Sequence, residues 1–354
     1  MNASTPPDFS FFCPAIESTA DPALETRLRH KIDRKTKPQG ALGLLEGLAL
    51  QLGLIQRSES PSLHQPQMVV FAADHGIAAE GVSAYPQAVT VQMVGNMLTG
   101  GAAINVFARQ HGFALQVVDA GVAAELPSHP QLQSRKIAMG TKNLCLEPAM
   151  SRPEALAALT AGMQVMRALP GNVVAFGEMG IANTSPAALL LARLTGASIK
   201  DATGRGTGLD DRQLLHKQGV LTRALARHPA TQPPDVVGEL AALGGFEIAM
   251  MAGAMLQAAS ERRVVLVDGF IAGAAALVAG EVAPQVRGYL VFCHRSAETG
   301  HRLLLTQLEA RPLLALDLRL GEGTGALLAW PLVQSAANFL NEMASFESAG
   351  VSEK

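Results

Sequence analysis

Val264-Val265-Leu266-Val267-Asp268-Gly269-Phe270, continuing through Ala- and Gly-rich sequence to Val282, holds both halves of a βα unit. Four consecutive apolar, mostly β-branched residues read as a strand buried on both faces, and Asp268-Gly269 as the turn that ends it. The continuation, interrupted by Glu281, fits a buried helix better than a membrane span.

Five other short apolar runs read the same way: residues 68–72, 115–118, 173–176, 289–292 and 313–320. Ala-rich helical segments at 153–169, 186–194, 246–260 and 273–279 fall between them. That alternation predicts an α/β fold, a twisted, mostly parallel six-stranded sheet wrapped by helices. A polar turn follows each run: Asp74-His75-Gly76, Asp119-Ala120-Gly121, Gly177-Glu178-Met179-Gly180, Asp268-Gly269, His294-Arg295-Ser296 and Gly321-Glu322-Gly323. Open α/β sheets bind ligands outside the C-terminal ends of their strands, so the six turns are expected to converge on one site. Taken singly, each serves equally well as a turn or helix cap.

The chain has 354 residues, 16% charged and 4% aromatic, with a net charge of -2. That length suits one large domain with a smaller satellite. No basic stripe with interleaved aromatics is present, which argues against a nucleic-acid partner. Residues 1–20 are polar, without the basic and apolar regions of a secretory signal, so a cytoplasmic protein is expected. Cys13, Cys145 and Cys293 are far apart, which favours neither a disulfide framework nor a zinc site. Segments 24–54 and 326–346 read as amphipathic helices outside the βα pattern, and 58–67 as a polar linker. The expected division is a small helical domain from residues 1–60 plus 326–354 and a large α/β catalytic domain over 61–325.

Glu322 stands among three glycines in Gly321-Glu322-Gly323-Thr324-Gly325, where a carboxylate can act as a base and the glycines leave room for a ligand. Glu178 repeats the arrangement; each also fits a carboxylate that merely accepts backbone N–H bonds in its own turn. Thr203-Gly204-Arg205-Gly206-Thr207-Gly208, followed by Lys217, can turn N–H groups toward a phosphate or serve as a plain flexible loop. It is neither a Walker loop nor a dinucleotide fingerprint. Asp74-His75 reads as a satisfied turn or helix start, and 35–40 as an interruption between helices. Tyr85, next to Pro86, and Met93 are side chains suited to lining a flat aromatic ligand.

Lys37-Pro38-Gln39-Gly40-Ala41-Leu42-Gly43, Ala73-Asp74-His75-Gly76, the segment from Gly177 to Thr184, Gly244-Gly245-Phe246-Glu247, Asp268-Gly269-Phe270 and the segment from Leu318 to Gly325 occur in one order over residues 30–335. In these stretches the chain resembles the nicotinate-nucleotide:dimethylbenzimidazole phosphoribosyltransferases of cobalamin nucleotide-loop assembly. The resemblance implies a Rossmann-like sheet, a homodimer, no cofactor and no metal. It implies conversion of nicotinate mononucleotide and 5,6-dimethylbenzimidazole to α-ribazole 5′-phosphate and nicotinate, with Glu322 as general base. Glu178 and Asp268 would approach the ribose and phosphate, with Gly180, Gly204, Lys217 and Ser296 around the phosphate. Tyr85, Met93, Met179 and Leu320 would line the base pocket. The chain differs from the family pattern at Tyr85, where a smaller serine can occur, and at Asp317, a position that can be small or apolar. Two other readings remain: a hydrolase of N-glycosidic bonds that uses Glu322 to activate water, and a non-catalytic nucleotide-binding module.

Overall fold

The computed structural model describes residues 13–230, 232 and 235–352. The polar N-terminal segment and the start of the expected helical domain, residues 1–12, lie outside the described residues. Six strands, β1 (Gln67–Ala73), β2 (Ala114–Gly121), β3 (Leu132–Ser134), β4 (Val173–Met179), β5 (Val264–Val267) and β6 (Leu290–Phe292), form one sheet in the order β3-β2-β1-β4-β5-β6. Every neighbouring pair is parallel. The chain builds outward from β1 to β3 and then returns to lay β4 on the other side of β1. In such sheets that reversal opens a crevice at the strand ends.

Fourteen α-helices are found among the described residues. The first seven are α1 (Pro22–Asp33), α2 (Leu44–Gln56), α3 (Ala88–Leu98), α4 (Ala103–His111), α5 (Arg152–Arg167), α6 (Thr184–Thr195) and α7 (Ile199–Ala202). The rest are α8 (Asp211–Arg227), α9 (Val236–Leu243), α10 (Phe246–Ser260), α11 (Phe270–Val282), α12 (Thr299–Gln307), α13 (Thr324–Glu342) and α14 (Phe346–Ala349). None is long and apolar enough to cross a membrane.

Strands β1, β4 and β5 are buried almost throughout, as their near-continuous apolar runs predict. The expected strand at 313–320 is the exception. Leu313 and Leu314 donate to the carbonyls of Phe292 and Cys293 at 3.1 and 3.0 Å, and a single bridge joins Leu314 to His294. Beyond them the ladder fails, because Asp317 turns the backbone left-handed at φ 53° and Leu316 and Leu320 face outward. The sixth strand is instead β3, whose Leu132-Gln133-Ser134 carries no apolar run because it is a partly exposed sheet edge.

Every residue from Phe246 to Ala259 of α10 is buried. Its closest neighbour is α5, and two glycines set the approach. A Cβ on Gly162 would overlap the Met250 carbonyl, and one on Gly253 the Leu159 carbonyl, so the two backbones touch without side chains between them. Elsewhere α1 packs on α2 and α2 on α13, so helices from the first and last parts of the described chain lie together; α13 also packs on α4 and β4. Helix α13 thus links the terminal helices to the sheet, and its first residue, Thr324, lies two positions after Glu322.

Replacing an exposed mid-helix glycine by alanine stabilises by about 0.5–1 kcal/mol. Gly219→Ala, in α8 with open space around its Cα, is expected to raise the urea midpoint. Gly253→Ala is expected to lower it, because the added methyl must push α5 and α10 apart. A raised midpoint for Gly253→Ala contradicts this packing.

Candidate active site

Glu322 sits in a turn of three successive left-handed residues, Gly321 (φ 84°), Glu322 (φ 64°) and Gly323 (φ 90°). Glycine takes this conformation freely; a glutamate in it costs roughly 1–2 kcal/mol. The turn is over-determined by its surroundings. Glu322 N–H donates to the Glu178 carbonyl at 3.3 Å, and the Thr324 hydroxyl donates to the Gly321 carbonyl at 2.9 Å. The Asp268 carboxylate, at the end of β5, accepts from Gly323 N–H at 3.1 Å and Ala326 N–H at 3.0 Å. A Cβ on Gly177 would overlap the Glu322 carbonyl, so that glycine lets the turn lie directly on β4.

The Glu322 side chain is buried, and its Oε2 accepts from Ile104 N–H, in the first turn of α4, at 3.3 Å. Burial raises its proton affinity above the usual carboxylate range and the Asp268 charge adds to that, while the Ile104 N–H opposes both. Glu178 stands beside it at the end of β4, with Asn183 donating to its Oε2. Burial, joined by the charges of Glu247, Asp268 and Glu322, pushes Glu178 up to about 8 against that bond.

Both carboxylates line a cavity of about 360 Å³. Tyr85, Val89, Met93, Met179 and Leu320 supply apolar lining, and Thr184, Gly206, Thr207 and Ser296 supply hydroxyls and backbone. Tyr85 and Leu320 are exposed and form its rim, and Ser83 and Thr207 approach to 3.4 Å, so the Tyr85 loop meets the glycine-rich loop. An aromatic ring suits the first set, and an anion suits the second, next to the N-terminus of α6.

Nine of the eleven residues singled out from sequence line this cavity: Glu322, Glu178, Gly180, Asp268, Ser296, Tyr85, Met93, Met179 and Leu320. Lys217 and Gly204 stand behind it. Lys217 Nζ donates to the Thr184 hydroxyl at 2.7 Å and is drawn down to about 8 by burial, with Glu298 opposing. Gly204 packs against the Glu298 carboxylate, which a Cβ would overlap.

The six strand-end turns do not all converge. Those of β1 and β2 are closed by their own contacts. His75 Nε2 lies 2.8 Å from Glu247, Asp74 accepts from Ala123 N–H at 2.8 Å, and Asp119 pairs with Lys136 at 3.0 Å. Asn183, Glu298 and Arg319 were not singled out as site residues, yet they line the cavity. Asn183 was legible, since it follows β4 directly and opens α6. Glu298 stands in polar sequence with no signal that separates it from surface residues, whereas Arg319 lies between two leucines of the segment expected to be a strand, where a charged residue was open to notice.

A family model described as phosphoribosyltransferase matches residues 18–351. The nicotinate-nucleotide–dimethylbenzimidazole phosphoribosyltransferase of Cupriavidus taiwanensis is 63% identical over 335 residues, 94% of this chain and 96% of that protein. The enzyme of the same name from Ralstonia nicotianae is 58% identical over 342 residues, 95% of this chain and 96% of that one. The crystal structure of CobT from Thermus thermophilus superposes with a TM-score of 0.90 at 46% identity, covering 94% of this chain and 100% of that one.

Glu178 yields a stability prediction. Unfolded, its carboxyl ionises near 4.5; folded, it keeps its proton to about 8. Its contribution to stability is therefore fully present below 4.5 and is lost as pH rises to about 8. Comparing melting temperatures of wild type and Glu178→Gln across that window cancels the other titrations. The difference is expected to move in favour of the glutamine variant as pH rises; a constant difference contradicts the assignment.

Proposed function

The chain belongs to the family of nicotinate-nucleotide–dimethylbenzimidazole phosphoribosyltransferases, and on that premise we propose that Glu322 is the base of a direct phosphoribosyl transfer. The reaction moves the phosphoribosyl group of nicotinate mononucleotide to 5,6-dimethylbenzimidazole and gives α-ribazole 5′-phosphate and nicotinate. The observation that carries the reading is the cavity itself, where a buried carboxylate with raised proton affinity shares one space with apolar lining fit for a ring and polar lining fit for a phosphate.

Glu322 takes the proton from one ring nitrogen of the acceptor while the other attacks the anomeric carbon. Nicotinate departs from the opposite face, so the β-linked nucleotide becomes α-linked. The departing ring carries a pyridinium charge in the substrate, and the bond breaks without prior protonation. One base with good alignment then suffices, with proximity supplying much of the acceleration. A carboxylate that holds its proton more tightly than an ordinary glutamate is the better base for this step.

Gly180, Thr184, Gly206, Thr207 and Ser296 take the phosphate, with Lys217 behind Thr184 supplying charge and Gly204 letting Glu298 pack beneath the loop. Glu178 faces the ribose. Tyr85, Met93, Met179 and Leu320 hold the acceptor ring. The protein is read as a homodimer, which rests on the family alone, working in the cytoplasm, which rests on its polar first twenty residues.

The apolar lining favours transfer over hydrolysis, and one assay separates them. Nicotinate release from nicotinate mononucleotide is expected only when dimethylbenzimidazole is present; release without it would instead mark a hydrolase. Glu322→Gln is expected to lower kcat by about 10²- to 10⁴-fold with nucleotide affinity unchanged. Unchanged turnover would remove Glu322 from the base role. Tyr85→Ser, which trims the rim, is expected to reorder the preference among benzimidazoles and purines in competition assays, and an identical ranking counts against Tyr85 as a pocket residue.

A further inference from the structure

We propose that Asp268, backed by His294, is a positioning residue that fixes the Gly321–Gly323 turn and so aims the Glu322 carboxylate at the acceptor base. The proposal rests on Glu322 being the base, and it moves Asp268 away from the ribose, where the family resemblance would put it.

Three observations carry it. First, a helix leaves the N–H groups of its first turn without partners, and α13 has no capping side chain of its own, since Gly323 occupies that position. Asp268 supplies the acceptors from a strand end 55 residues earlier, one oxygen to Gly323 N–H and the other to Ala326 N–H. Those bonds fall on the residue next to Glu322 and on the first turn of the helix behind it. Second, the turn they hold is left-handed at Glu322, a conformation that persists in a non-glycine residue only where neighbours impose it. Third, the carboxylate is itself held. The His294 Nε2 is 3.4 Å from Asp268 Oδ1, and the ring lies so close to α13 that a Cβ on Gly325 would overlap it. Asp268, His294 and the start of α13 therefore form one buried block with no freedom to reorient separately.

The charge of Asp268 also acts on Glu322, after burial, to strengthen its hold on a proton. The other titratable groups around the turn are Glu178 from β4, Glu247 from α10, Cys293 and His294 after β6 with His301 of α12 behind them, and Arg319 on the incoming segment. Among these, Asp268 is the one that both bonds the turn and shifts its base.

Asp268→Asn keeps the shape, but its amide cannot accept from both N–H groups, and it removes the charge. Full-length enzyme is compared with Glu322→Gln by steady-state kinetics over pH and by calorimetric binding of nicotinate mononucleotide alone. The expected result for Asp268→Asn is a fall in kcat of about 10²-fold, the scale of a misplaced catalytic group. Nucleotide Kd stays unchanged, and the acidic limb of kcat/KM moves to lower pH as Glu322 loses a like-charged neighbour. Wild-type kcat, a Kd that weakens in step with kcat/KM, or an unmoved acidic limb would each overturn the proposal. If Asp268→Asn does not fold, His294→Leu carries the test: a smaller fall in kcat with unchanged Kd supports it, and wild-type kcat overturns it. Should Glu322→Gln itself retain turnover, the base assignment fails and not the clamp alone.

Discussion

The contact on which the rest depends is between two backbones: the Glu322 carbonyl lies on Gly177 of β4, where any Cβ would collide with it. That approach brings a left-handed turn down onto the end of a buried strand and places a glutamate side chain under cover from water. Without it, the carboxylate would sit higher, in solvent, with ordinary proton affinity. The cost of the backbone conformation is offset by bonds from Glu178, Asp268 and Thr324, and by the helix that starts there. Strain of this kind persists where neighbouring structure imposes it, and here the neighbours are the ends of β4 and β5 and the start of α13.

Burial makes the site electrostatically unusual. Glu178, Glu247, Asp268 and Glu322 stand close enough that the charges of the other three each raise the proton affinity of Glu178. Glu322 feels the Asp268 charge in the same direction. Nicotinate mononucleotide brings a pyridinium charge, and its departure as nicotinate removes that charge. The protein therefore has only to take a proton from the acceptor, and burial together with the Asp268 charge strengthens Glu322 for that step.

Much of this was legible in the sequence. Continuous apolar runs followed by Gly-containing polar turns gave the sheet, five of its six strands and the two key glutamates, because burial on both faces forbids the alternating pattern of a half-exposed strand. The segment 313–320 misled for a physical reason: its leucines are apolar because they flank a cavity and a sheet edge, and Asp317 breaks the extended backbone. Strand β3 was hidden because an edge strand of three residues carries no pattern. The turns of β1 and β2 looked like site residues because a buried turn and a binding turn use the same Asp, His and Gly. Only the partners distinguish them, Glu247 for His75 and Lys136 for Asp119. Likewise the sequence could show an aspartate after β5 but not that both its oxygens face α13.

The central claim is that Glu322 takes a proton from the acceptor ring. The most direct measurement is a crystal structure with dimethylbenzimidazole bound, read for the distance from the Glu322 carboxylate to the nearer ring nitrogen. The account predicts a hydrogen bond of about 2.6–3.2 Å, with the other nitrogen facing the ribose side of the cavity. A ring seated in the cavity with both nitrogens out of reach of Glu322, or turned toward Glu178 instead, would contradict it.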